Sequence, residues 1–127
     1  MKVRSNPATV HAPIGAYTHQ VEIRDERLLV VAGQIGMAPD GSVPESPAAQ
    51  LELALENIRL NLEAAAMTAA DLVKLTIFLT EEIPVEERRA IMHSAIGEDL
   101  PAATLVYVSR LAAPHLKAEV EALASAP

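Results

Sequence analysis

Apolar and polar positions alternate along parts of this chain and recur at helical spacing along others, and the two patterns divide it into elements. Residues 2–9 read as a short edge strand, limited by Pro7, which has no N–H to give a ladder. After the turn-rich segment 11–16, Tyr17 to Arg24 alternates, with Val21 and Ile23 on one side and Gln20, Glu22 and Arg24 on the other. A polar break at Asp25-Glu26 leads into Arg27–Gly33, which is almost continuously apolar. These runs predict a hairpin whose second strand is central and buried on both faces.

Gly36 to Pro47 is a loop, marked by Pro39-Asp40-Gly41 and Pro44. Ser46 and Pro47 then form a favoured N-cap and first-turn pair. Leu51, Leu55, Ile58 and Leu62 give the following helix one apolar stripe, with Glu52, Glu56, Arg59 and Glu63 opposite. Thr68 to Asp71 reads as a small capped turn. Leu72–Leu79 is the strongest strand pattern, again a buried one. Pro84 to Ile96 is a second helix, stopped by Gly97, with a weak stripe of Val85, Ile91, Met92 and Ala95. Pro101–Val108 and Lys117–Leu123 are the closing strands. The predicted order is β-β-β-α-β-α-β-β, in one domain spanning residues 1–127.

Composition narrows the core and the chemistry. Half of the residues are apolar but only 2 % are aromatic (Tyr17, Phe78 and Tyr107), so the core must be aliphatic. The net charge is −7 and the basic residues are scattered, which disfavours nucleic-acid binding, because phosphate contacts need a concentrated basic surface. No cysteine is present, so disulfides and thiolate chemistry are excluded. Histidines 11, 19, 93 and 115 lack metal-ligand spacing, and no metal is expected. Without a signal pattern or a long apolar run, the expectation is a cytoplasmic protein with no membrane association.

Several segments together resemble the Rid family, also called YjgF or L-PSP, which includes the RidA enamine/imine deaminases. Ala12-Pro13-Ile14-Gly15-Ala16-Tyr17 resembles the family's Ala-Pro…Gly-x-Tyr segment, and Ala32-Gly33-Gln34-Ile35 its Ser-Gly-Gln-Ile. Gln50…Ala54-Leu55-Glu56-Asn57-Ile58 and Asp71–Leu79 resemble the helix and strand that follow. Pro101, Thr104, Arg110, Leu111, Glu119 and Glu121 resemble the C-terminal signature. The match runs along nearly the whole chain. In the active members, the position of Ala103 holds arginine.

This resemblance implies an α+β fold like the Bacillus-type chorismate mutase, with two helices on one face of a mixed sheet. It further implies a homotrimer with small-molecule clefts between subunits, and hydrolysis of enamine or imine acids without a cofactor. Glu119 would hold the attacking water or move a proton, with Tyr17, Gly33, Ala103 and Thr104 lining the ligand site. Replacing the family arginine by Ala103 removes the carboxylate fork, so altered specificity is expected and 2-iminopropanoate is a doubtful substrate. Arg110 is seven positions along and on the opposite strand face; Arg88 and Arg89, on the second helix, are the other cations that could enter a cleft. The alternatives are a non-catalytic metabolite-binding trimer and, less favoured given the charge, a ribonuclease.

Overall fold

The computed structural model describes residues 1–127. It runs β1 (Lys2–Ser5), β2 (Gln20–Ile23), β3 (Arg27–Ile35), α1 (Pro47–Ala64), a 3-10 turn (Ala69–Asp71), β4 (Leu72–Leu79), α2 (Val85–Ile96), β5 (Ala102–Tyr107) and β6 (Ala118–Ala126). This is the order read from the sequence. Four strands form a mixed sheet, β3-β6-β4-β5, in which β4 and β5 are parallel and the other neighbours antiparallel. A parallel pair needs a crossover, and α2 supplies it. None of the helices is long and apolar enough to cross a membrane.

Both helices cover one face of this sheet. On β6, alternate residues Ala118, Val120, Ala122 and Ala124 point to that face and are buried, and their small size lets α1 lie close. From α1, Leu51, Ala54, Leu55, Ile58 and Leu62 meet them; α2 adds Ile91, Met92 and Ile96. Val85, expected in the α2 stripe, is 47 % exposed because it opens the helix at its outer end. Ser46 caps α1 as its sequence suggests, its hydroxyl accepting from the Ala49 N–H at 3.0 Å.

Side-chain amides on α1, the buried Gln50 and the half-buried Asn57, tie the layers together. The Gln50 side chain donates to the carbonyls of Pro44 (2.8 Å) and His115 (3.0 Å) and accepts from the Lys117 N–H (2.7 Å), so its polar atoms are satisfied. Asn57 Nδ2 donates to the carbonyls of Ile35 and Met37, both at 3.0 Å, and fixes the end of β3.

Two expectations fail, for one reason. The hairpin across Asp25-Glu26 does not form: β2 pairs with β1, Lys2 opposite Ile23, and β3 pairs with β6. Glu26 is not a turn tip but an anchor. Its side chain, 4 % exposed, meets the Met1 ammonium at 2.5 Å, Lys2 Nζ at 3.4 Å and the Ser125 hydroxyl at 2.9 Å, linking β1 to β6. Accordingly β3 is an edge strand and only one of its faces is covered: Leu28 and Val30 on the other are 60 % and 70 % exposed.

Candidate functional site

The sequence-predicted site residues fall into two groups at opposite edges of the four-stranded sheet. The first lies at the β3 edge. Pairing with β6 steps from Val31↔Ala122 to Gln34↔Val120, so Ala32 and Gly33 together oppose the single residue Glu121, a β-bulge. Glu119, two residues before it on β6 and opposite Ile35, lays its carboxylate directly against the Gly33 backbone. The bulge and the missing side chain at 33 create the space for that carboxylate. Gly33 also borders an open cavity of about 340 Å³, which Gln34, Ile35, Met37 and Asn57 line among others and Glu119 does not. The Gln34 amide donates to the Ala32 carbonyl at 3.0 Å and thereby braces the bulge.

The second group lies at the β5 edge, around a cavity of about 360 Å³ on the helix-covered side. Ile77, Ala103 and Leu105 form its floor, Met92 a wall, and the segment Ile14–Tyr17 a flap. That segment is held by the Thr18 N–H donating to the Pro101 carbonyl at 2.9 Å, at the mouth of β5. Within it, the Ile14 N–H donates to the Tyr17 hydroxyl at 3.3 Å. The Tyr17 ring stands edge-on to His19 with centroids 5.3 Å apart, and His19 does the same to His11 at 5.0 Å.

Tyr17, Ala103 and Thr104 therefore share one cavity, and Glu119 and Gly33 share another place; a single chain does not unite them. Thr104 lines the β5 cavity but its hydroxyl accepts from Lys74 Nζ at 2.6 Å, on the opposite face of β5 from Ala103. Arg110 is beyond β5, exposed, with Nε donating to the Leu111 carbonyl, and does not line the cavity.

Arg88 and Arg89 do line it. Arg88 Nη1 donates to the Tyr107 hydroxyl at 3.3 Å, and Arg89 Nη1 is 3.7 Å from Glu86. The sequence offers both as cations on the second helix that could enter a cleft, but which strand α2 overhangs is not legible in it.

An α+β protein with two helices on a mixed sheet and a cleft at each sheet edge is the class these features define. The family model described as "Endoribonuclease L-PSP" matches residues 8–126. A 2-iminobutanoate/2-iminopropanoate deaminase of Escherichia coli K12 is 33 % identical over 123 residues, covering 92 % of this chain and 94 % of that protein. Among solved structures, the Rid-family protein YyfB of Yersinia pestis, itself described as of unknown function, superposes with a TM-score of 0.86 at 29 % identity, over 97 % of each chain. Escherichia coli TdcF with bound serine superposes with a TM-score of 0.72 at 27 % identity, over 98 % of this chain and 94 % of that one. The chain belongs to the Rid (YjgF/L-PSP) family.

Proposed function

We propose that this protein hydrolyses reactive enamine or imine metabolites to a carbonyl compound and ammonia, in clefts between the subunits of a homotrimer. The observation that carries this reading is the split of the site between the two edges of one sheet. Glu119 on Gly33 sits at the β3 edge, and the Tyr17–Ala103 cavity at the β5 edge. A second copy whose β3 edge meets the first copy's β5 edge supplies the missing half. The uncovered sheet face puts Leu28 and Val30 in water beside Lys74, Thr76 and Glu121, and exposed apolar side chains of this kind are what self-association buries.

The chemistry asks little of the protein, because a C=N carbon is already electrophilic. Water adds to it while Glu119 accepts the water's proton. The nitrogen, protonated in turn, departs as ammonia as the oxygen closes to C=O. One water is consumed and one ammonia released, with no electron transferred. A general base in this position typically contributes 10²–10⁴-fold. The 33 % identical deaminase acts by its name on such imines, and TdcF holds an amino acid of similar size. RNA cleavage, which the family description names, is a poor fit to a chain with ten basic and seventeen acidic side chains.

The test generates imines freshly from amino acids with an amino-acid oxidase and follows oxo-acid and ammonia release, with mass determined by light scattering. Acceleration over buffer by a trimer, reduced on the order of 10²–10⁴-fold in Glu119→Gln, is the expected result. An intact trimer that accelerates none of the imines removes the hydrolase reading and leaves ligand binding alone.

A further inference from the structure

We propose that Arg88 and Arg89 anchor the acid group of the substrate in this protein, and that the room over Ala103 selects imine acids carrying a bulky apolar side chain. The inference takes its chemistry from the hydrolase reading and its specificity from the β5-edge cavity.

Most of the cations in the chain that meet an acid are firmly engaged. Arg59 is gripped by Glu56 and Glu63 at 2.7 Å each, Arg24 by Glu22 at 2.6 Å, and Lys2 lies between Glu26 and Asp71. Arg88 and Lys74 are half-buried, each line a cavity and have no carboxylate within 4.0 Å. Lys74 Nζ is held by the Thr104 hydroxyl at 2.6 Å beside Val30 and Glu121, whereas Arg88 lines the Ala103 cavity, with the neutral Tyr107 hydroxyl at 3.3 Å as its one side-chain partner. A guanidinium carries five N–H donors in a planar fork suited to a carboxylate, and Arg88 keeps most of them free. Arg89 has only the exposed Glu86 at 3.7 Å, a pair of the kind worth little and easily exchanged for a ligand. Adjacent helix residues point about 100° apart, so the two do not form one fork. Arg88 is the inner anchor, and Arg89 stands at the mouth.

The opposite side of the same cavity is apolar. Ile77 and Met92 are almost fully buried, and Ala103 and Leu105 complete the floor. A water molecule takes about 30 Å³ of liquid; a three-carbon acid displaces three or four waters, or roughly 100 Å³. The cavity of a single chain, open on the side that a second subunit's β3 edge would close, is about 360 Å³ and leaves room beyond that. Cations at the rim above an aliphatic floor match an acid with an apolar tail, whose carboxylate meets Arg88 while the tail lies on Ala103 and Leu105. Each additional CH₂ buried there tightens binding about fourfold.

The experiment compares imines made from alanine, leucine and phenylalanine in kinetics. It also compares pyruvate, 4-methyl-2-oxopentanoate and phenylpyruvate in calorimetric binding. The wild type is expected to favour the two larger imines by about tenfold or more in kcat/KM. Arg88→Gln is expected to raise KM and Kd about tenfold or more, as loss of a charged hydrogen bond does, with kcat changed much less. Arg89→Gln gives a smaller rise, and Ala103→Arg reverses the size preference. Equal handling of all three imines overturns the inference. So does an Arg88→Gln/Arg89→Gln double variant, trimeric and equally stable, that binds every oxo acid as the wild type does; this arm stands even if Ala103→Arg fails to fold. Hydrolysis that depends on Glu119 but not on Arg88 sinks the anchor and spares the hydrolase. Arg88-dependent binding without hydrolysis does the reverse.

Discussion

Glu119 and Gly33 occupy the same small volume across the β3–β6 pair: a Cβ at residue 33 would overlap Glu119 Oε1 and stand 2.9 Å from its Cδ. The obstacle is the end of a flexible side chain rather than backbone. Gly33→Ala should therefore fold, with a stability change under about 1 kcal/mol, while Glu119 swings aside. Displacing a catalytic group by an ångström can cost on the order of 10²-fold in rate, and imine-hydrolysis assays on the folded variant should read that loss. Full activity in Gly33→Ala would remove Glu119 from the chemistry.

Gly36 makes the opposite prediction. A Cβ there would lie 2.6 Å from Gln50 Cα, in the first turn of α1, where neither backbone can yield without moving the helix off β3. Gly36→Ala should cost about 1–3 kcal/mol, the range for overpacking. Urea titration should report a lower midpoint at unchanged slope.

Acid should loosen the N-terminal strand. The Met1 ammonium beside Glu26 first of all, then the Ser125 hydroxyl and Lys2, hold the Glu26 carboxyl at about 2, against the opposing push of burial. Because its folded value lies below the ordinary 4.5, its contribution to stability is fully present above that value. It is lost as pH falls from there toward about 2. Melting temperatures across that window should fall less steeply in Glu26→Gln than in the wild type. Parallel curves would show that the cluster is not coupled to folding.

If the open sheet face is buried between copies, a charge placed on it should be costly there and harmless in a lone chain. Val30, 70 % exposed in the single chain, is the position to use. Val30→Asp should reduce the mass seen by light scattering from trimer to monomer, because a carboxylate shut away from water next to Glu121 is desolvated at a cost that Lys74, on the same face, offsets only in part. A Val30→Asp protein that stays trimeric would place the interface elsewhere.

Local pattern was enough to read the elements. Ser46-Pro47 predicts the start of α1, and the spacing of Leu51, Leu55, Ile58 and Leu62 predicts its buried stripe, because caps and periodicity depend on neighbours within a turn or two. The resemblance of separated segments gave the family and the α+β fold, and the matched family model and superposed structures bear both out.

Pairing partners and cavities were settled at long range. Nothing local distinguishes Asp25-Glu26 as a hairpin tip from Glu26 as an anchor; the difference is the Met1 ammonium and Ser125, 25 and 99 residues away along the chain. In the same way, the family resemblance leads to the expectation of a cation where this chain has Ala103. Only the crossover that lays α2 beside β5 decides that Arg88 and Arg89 look into the space above it. A side chain's type and period are written in the sequence, whereas its neighbours from other elements exist only once the chain has folded.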